Sequence, residues 1–523
     1  MTDPRAASLR EAQQQKQWDL VVIGGGATGL GCAVDAASRG YRTLLLERDD
    51  FAKGTSSRST KLAHGGVRYL EQLNFTLVLD ALRERGYMLR NAPHIAHKLG
   101  FVVPIYNYAA LPWYGLGLKL YERMSGSLSI GRSHILSRDE TLRRLPTIAT
   151  TNLKGGVHYW DGQFDDARYA IALMRTLEDH GGIALNYAEV TALLHRNGKL
   201  EGLRIRDHET QAEFEILAKA VINATGIFAE QLVAKDISAT PSLFSLSRGT
   251  HLVLPPDFLP AADALMIPRT TDGRVLFAIP WHNHLLVGTT DVPADKATPE
   301  PQASEPETNF LETHIHRYLG RRPQANEILS VWAGLRPLLK SGNAATAKLS
   351  RDHKVLVSKT GLVTITGGKW TTYRRMAEDA INHAAKIASL RATTCKTTTL
   401  KLHGWTEPST LTSEDETDIT YGSDLAALRD LSNTNPTLNN SLHPQLPYRL
   451  RDALWSIRHE KARTTEDVLA RRTRALFLNA RAAIEAAPQV SQLLAHELQR
   501  NTTEQEADLQ SFLQIAEGYI YRD

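Results

Sequence analysis

WDLVVIGGGATGLGCAVDAASRGYRTLLLE, residues 18–47, is the stretch from which the rest of the chain is read. Residues 18–24 are an apolar, β-branched run that enters three glycines, the pattern of a strand buried in a parallel sheet. Residues 27–39 follow as a helix that ends at Gly40, and residues 41–47 return as a second strand. At the first junction Gly24, Gly26 and Gly29 match G-x-G-x-x-G. In that spacing the first glycine permits the tight turn, the second admits a pyrophosphate against bare backbone, and the third lets helix and strand pack closely. Glu47 closes the second strand, where a carboxylate accepts hydrogen bonds from an adenosine ribose. A glycine turn alone is weak evidence. Strand, helix and acid in this order make it the first unit of a dinucleotide-binding sheet.

Two later stretches share this grain. AVINATG (220–226) and LVTITGGK (362–369) are apolar runs ending in glycine turns, as late strands of the same sheet would be. Asn223-Ala-Thr225-Gly226 resembles the second dinucleotide-contact motif of FAD enzymes, which places Thr225 and Gly226 at the cofactor. TSSRSTKLAHGGVRYLE (55–71) comes directly after the ribose carboxylate and is rich in hydroxyls, small residues and cations. Ser56, Ser57 and Lys61 are expected to contact phosphates or the flavin ring, and His64 lies in the same loop. A solvated polar loop would not account for Gly65-Gly66 followed by Arg-Tyr-Leu. Gly367-Gly368-Lys369 precedes a helix expected over roughly Thr371 to Ser389. A helix start carries partial positive charge, so with Lys369 it would stabilise the negative charge of a reduced flavin.

The chain has 523 residues, above the ~250–300 at which single cores split into domains. Residues 76–98 are expected to be helical, residues 183–215 alternate like an antiparallel meander, and residues 250–290 contain further strands. From about residue 395 the periodicity becomes helical. The fold class is therefore α/β: a Rossmann-like FAD-binding domain, an interwoven antiparallel-sheet substrate domain and a C-terminal helical domain. The boundaries are set at 17–390 and 391–523.

Composition excludes several classes. A 42% hydrophobic, 23% charged chain is not disordered, and a net charge of +4 is no nucleic-acid signature. Cys32 and Cys395 are the two cysteines, with no CxxC or His/Cys cluster, so neither a metal site nor a disulfide scaffold is expected and a reducing cytoplasm is. Residues 1–17 lack the apolar core of a secretory signal, and no apolar run reaches the ~18 residues of a spanning helix. Membrane contact would be peripheral.

The 55–71 segment resembles the FAD-dependent, respiratory glycerol-3-phosphate dehydrogenase family, and further motifs follow in family order. They are Asp165-Asp-Ala-Arg168, Arg248-Gly-Thr-His251, Gly288-Thr-Thr-Asp291, Gly334-Leu-Arg336-Pro337 and Gly367-Gly-Lys369-Trp-Thr-Thr-Tyr-Arg374. Tyr421-Gly-Ser and Arg471-Arg-Thr-Arg474-Ala-Leu-Phe resemble the family's C-terminal helical domain. The resemblance implies non-covalent FAD, oxidation of sn-glycerol 3-phosphate to dihydroxyacetone phosphate, and delivery of two electrons to a membrane quinone. It gives Arg68, Tyr69 and Arg351 to the phosphate, in keeping with the affinity of arginine forks for phosphate oxygens. It sets Arg336 and His251 at the C2 hydroxyl, with His251 the proton acceptor and Lys369 the alternative acceptor. An α-glycerophosphate oxidase, passing electrons to oxygen and making hydrogen peroxide, shares most of these motifs. Such oxidases carry an inserted segment with no counterpart here. A flavoprotein acting as a scaffold is a further alternative, and a homodimer is left open. The expected location is the cytoplasm, peripheral on the inner face of the cell membrane. Residues 106–124, rich in aromatics and leucine, would supply the contact. The arginines between 449 and 481 would face anionic lipid or form a solvated helix face.

Overall fold

The computed structural model describes residues 3–66, 75–107, 117, 119, 121–124, 128–237, 242–340, 353–411 and 416–522. Its first sheet is built around Gln17–Ile23, which pairs in parallel with Thr43–Leu46 on one side and Glu213–Asn223 on the other. Ile183–Leu185 extends it beyond Thr43–Leu46, and Val363–Gly367 beyond Glu213–Asn223, both in parallel. His353–Val357 closes that end antiparallel. The central strands are apolar where helices cover the sheet, as in Leu20 to Ile23 and Leu44 to Leu46. One of these helices, Ala27–Ser38, is buried at nearly every position and packs beneath Tyr373–Ile387. A Cβ on Gly31 would come within 2.8 Å of Tyr373 Cδ2, so the close helix approach requires a glycine there.

The second sheet has ten strands in the order Val292–Ala294, Phe244–Leu254, His284–Gly288, Leu276–Trp281, Ala264–Ile267, Ala96–Ile105, Gly155–Phe164 and Leu62–Ala63. Ser330–Leu339 also pairs with Phe244–Leu254, and His134–Ser137 with Gly155–Phe164. One face packs against the C-terminal helices. Ala482, Ala486, Val490 and Leu494 of Ala480–Leu498 form the buried stripe at helical spacing, in one core with Val253, Ile279 and Leu286 of the sheet.

Four expectations need correction. The 76–98 helix is Phe75–Asn91, ended by Pro93, and residues from Ala96 form a strand. Proline disfavours helical backbone at the residue before it. The 183–215 meander is real as Ala188–Arg196, Lys199–Asp207 and Glu213–Asn223, but it hangs from the nucleotide-type sheet and not from the second one. The helix after Lys369 is Tyr373–Ile387, preceded by a tight turn at Trp370–Thr372. The arginines of 449–481 are not a lipid-facing or solvated set. Arg471, Arg472 and Arg474 are each 1% exposed, and Arg451 and Arg463 are also buried. Most of the 106–124 stretch lies outside the described residues.

Candidate active site

Backbone conformation builds the first half of the site. Gly24 has φ 110°, and a Cβ there would meet the Ala224 carbonyl oxygen at 2.6 Å. A Cβ on Gly29 would lie 1.8 Å from the Gly24 carbonyl, so Gly29 serves packing and does not itself wall the cleft. Beside Gly26, Ser56 Oγ accepts a hydrogen bond from the Ala27 amide at 2.9 Å, at the helix start. A cleft of about 270 Å³ runs from Glu47, Glu189 and Phe228, past Gly24, Gly26, Thr225 and Gly226, to Gly368 and Lys369. Glu47 accepts from the Gly25 amide at 2.6 Å and from the Asp49 amide at 2.9 Å. Burial, with the Asp49 charge beside it, pushes its pKa up to about 7. The elongated shape, the bare glycine backbone and a carboxylate at one end fit a dinucleotide.

The second half is a cavity of about 650 Å³ that shares Thr55, Pro337, Gly368, Lys369 and Trp370 with the cleft. His251 and Arg336 stand in its wall on two adjacent antiparallel strands. His251 pairs with Trp332 and Ser247 with Arg336, so alternation puts His251, Gly249, Trp332, Gly334 and Arg336 on one face. Three glycines clear this face. A Cβ on Gly288 would be 2.1 Å from His251 Cδ2, one on Gly249 2.2 Å from Arg336 Nη2, and one on Gly334 2.9 Å from Arg58 Cβ.

His251 stacks on Trp332 with ring centroids 4.2 Å apart, and its Nε2 lies 3.0 Å from Thr60 Oγ1. Burial, then the charges of Lys61 and Arg336, hold the imidazole well below the ordinary histidine range. Arg336 donates to the Thr290 carbonyl at 3.2 Å and to Thr289 Oγ1 at 3.0 Å. His64, Arg58, Arg274 and Asp161 also line the cavity.

Lys61 and Ser57 correct the reading of the loop. The Lys61 ammonium turns into the core, bonded to the Ser57 and Ser59 carbonyls and to Asp166 Oδ2 at 2.8 Å. It sits 4.6 Å from the Trp332 ring centre, and burial lowers its pKa to about 7. Ser57 is buried beside it, and neither residue lines the cleft or the cavity. Arg68, Tyr69 and Arg351 lie outside the described residues. Thr60, Arg58, Asp161, Arg274, Glu189 and Phe228 went unremarked as site residues in the sequence. The glycines paired across the strands were the legible signal for the room they share, but not for its occupants.

A dinucleotide cleft opening on a cavity walled by a buried histidine and an arginine defines a nucleotide-cofactor-dependent oxidoreductase. Residues 19–374 match the family described as FAD dependent oxidoreductase, and residues 358–505 match the C-terminal domain of alpha-glycerophosphate oxidase. The chain is 38% identical to the mitochondrial glycerol-3-phosphate dehydrogenase of Homo sapiens, over 99% of this chain and 76% of that one. The Mesocricetus auratus protein of that name is also 38% identical, with 97% and 74% covered. The X-ray structure of the Bacillus halodurans glycerol-3-phosphate dehydrogenase complexed with FAD superposes with TM-score 0.80 at 28% identity, over 99% of this chain and 98% of that one. L-alpha-Glycerophosphate Oxidase from Mycoplasma pneumoniae shares the fold, with TM-score 0.56 at 17% identity over 73% of this chain and 97% of that one. The chain belongs to the FAD-dependent glycerol-3-phosphate dehydrogenase family, and its cofactor is FAD.

Proposed function

We propose that the protein oxidises sn-glycerol 3-phosphate at C2 to dihydroxyacetone phosphate, with non-covalently held FAD as first electron acceptor and a membrane quinone as second. The observation that carries this reading is the pairing of His251 and Arg336 on one cleared face of the cavity that joins the cofactor cleft. The names of the relatives point to the same substrate. When bound, FAD supplies a two-electron acceptor for the alcohol. Gly24, Gly26, Glu47, Ser56, Thr225, Gly226 and Gly368 would hold it.

His251 takes the hydroxyl proton. Its Nδ1 is sealed from solvent with no hydrogen-bond partner, which leaves Nε2, beside Thr60 Oγ1, as the accepting nitrogen. Because its surroundings favour the neutral imidazole, the base is in its accepting form at neutral pH. Arg336 polarises the C2 oxygen, and Lys369, on the turn before the Tyr373–Ile387 helix, sets positive charge beside the cofactor. The family resemblance gives the phosphate to Arg68, Tyr69 and Arg351. A quinone is lipid-soluble, while among the described residues no helix is long and apolar enough to cross a membrane. We place the enzyme in the cytoplasm, peripheral on the inner face of the cell membrane.

Anaerobic mixing with glycerol 3-phosphate should bleach the flavin, and a short-chain quinone should restore its colour faster than oxygen does. Absence of bleaching defeats the substrate assignment. Faster recovery in oxygen, with hydrogen peroxide released, makes the protein an oxidase.

A further inference from the structure

Lys61 is a charged side chain with no exposed surface, and the chemistry proposed above does not use it. Three acceptors surround its Nζ: the Ser57 carbonyl at 2.9 Å, the Ser59 carbonyl at 3.0 Å and Asp166 Oδ2 at 2.8 Å. They take three N–H donors, the number an ammonium has and a neutral amine lacks. The frame around it is fixed in turn. Ser59 donates to Asp166 Oδ2 through both its amide and its hydroxyl, and Arg474 donates to Asp166 Oδ1 at 3.2 Å. Asp166 opens the Asp166–Asp179 helix, so the ammonium is tied to a rigid element.

The ammonium faces the aromatic wall behind the base. Its Nζ lies 4.6 Å from the Trp332 ring centre, 5.3 Å from that of Trp281 and 5.6 Å from that of Phe477. A cation at such distances is attracted to the ring's electron-rich face, more strongly where water is excluded. Trp332 is the ring on which His251 stacks, with centroids 4.2 Å apart and planes inclined by 20°. Trp332 Nε1 is buried and has no hydrogen-bond partner among the described residues. The indole is therefore held by its ring contacts: His251, Phe477 at 5.2 Å, and the Lys61 ammonium.

The same residue sets the second contact of the base. Lys61 has φ 62°, a left-handed conformation uncommon for residues with a Cβ. Its carbonyl accepts from the Phe164 amide at 3.0 Å and its amide donates to Ser59 Oγ at 3.0 Å, which locks the bend. Immediately before it, Thr60 Oγ1 lies 3.0 Å from His251 Nε2. The stack and the Nε2 contact thus both lead back to Lys61. Two charges bear on the imidazole, Lys61 from this loop and Arg336 from Ser330–Leu339. Asp166 sits on the first, and Asp291 Oδ1 is 3.7 Å from the second. On the base's own strand Arg248 is paired with Glu307, and the His284–Gly288 strand sets Gly288 beside the ring. Burial lowers the Lys61 pKa to about 7, so its charge is present in the acid range where His251 titrates.

We propose that Lys61 is a positioning residue of the oxidation: it braces Trp332 and sets Thr60, and through them fixes the direction in which His251 Nε2 meets the C2 hydroxyl. This rests on the reading of His251 as the proton acceptor. The test uses the FAD-loaded enzyme with two variants. Lys61→Met keeps the length of the side chain and removes its charge, and Lys61→Met/Asp166→Asn removes both charges of the pair. In both, the limiting rate of anaerobic flavin bleaching by glycerol 3-phosphate, counted per bound flavin, should fall roughly 10- to 100-fold. The glycerol 3-phosphate concentration giving half that rate should stay within about twofold of the parent's. The acid limb of the rate should move to higher pH, because a cation that opposes the imidazolium is gone. A residue that only stabilises the fold would lower flavin content or melting temperature and leave the rate per flavin and its pH limb in place. That result overturns the proposal, as does loss of flavin from both variants. A raised half-saturating concentration at an unchanged limiting rate overturns it too. If glycerol 3-phosphate does not bleach the parent, the substrate reading fails separately, and the His251 ring decides for Lys61. Its proton resonances, displaced by the Trp332 ring current, should move in Lys61→Met; resonances that stay in place remove the brace.

Discussion

Gly249, Gly288 and Gly334 fix where Arg336, His251 and Arg58 stand, since a methyl group at any of them would overlap the neighbouring side chain. The first substitution to make is Gly288→Ala. Its Cβ would fall 2.1 Å from His251 Cδ2, so the imidazole must move off its stack with Trp332. Flavin should stay bound, while its anaerobic bleaching by glycerol 3-phosphate slows at least ~10-fold, about 1.4 kcal/mol in the barrier. Gly26→Val acts on the other half. It fills the space against Ser56 and should yield protein without flavin absorbance. Full colour in Gly26→Val would remove the cleft as the cofactor site. Residues whose surroundings are set locally, such as Gly24 and Glu47, stand at the cleft where the sequence pattern puts them. The pattern failed at Lys61, whose partners Asp166 and Trp332 lie 105 or more positions away, so nothing nearby revealed that the ammonium turns inward.

Elements were legible in proportion to how local their causes are. The strand, turn and helix of 17–38 follow from residues within the segment, and the structure has them within a residue or two. The sheet to which the 188–207 hairpin belongs depends on pairing between Lys199–Asp207 and Glu213–Asn223, which alternation alone does not specify. The connector after Ile387 gave a composition and no contacts, yet it carries a bolt between elements. His403 Nδ1 lies 2.7 Å from Asp179 Oδ2, at the end of the Asp166–Asp179 helix, and Nε2 lies 2.9 Å from Asp424 Oδ2. Burial works against the charge, but these two hydrogen bonds raise the His403 pKa to about 9. A raised pKa means the stabilisation is complete below the unfolded value of ~6.5 and is lost as pH rises through about 9. His403→Gln should therefore lower stability at pH 6 by ~1–3 kcal/mol, as for hydrogen bonds to charged groups. The gap to the parent should close above about 9. Denaturant midpoints across pH would show it, and a gap constant with pH would mean the ion pairs contribute nothing.

At the scale of the molecule, the C-terminal helices hold the cofactor loop from behind. Arg471 and Arg472 both bond Asp50, Lys53 bonds Glu466, and Arg474 reaches the Ser57 carbonyl and Asp166. Removing one partner of a buried pair leaves charge uncompensated, so Arg472→Ala should destabilise by ~3 kcal/mol or more. Because the pairs tie both regions together, parent and variant should each melt in one calorimetric transition, the variant earlier and with flavin release. Two separated transitions in the parent would show that the ion pairs do not couple the regions.

The Asp50 loop and its arginines are 421 and 422 residues apart in the chain. Translation proceeds at ~5–20 residues per second, so the loop would wait roughly 20–80 s for its counter-ions. Until they emerge, Asp50 and Asp166 are carboxylates without their C-terminal arginines, and water has every reason to keep them solvated. Cofactor uptake is therefore expected only after the C-terminal arginines have been made. Ribosome-bound chains arrested before Arg471 should retain no flavin, and chains released after Tyr519 should take it up at once; early uptake would show that the loop closes without its anchors.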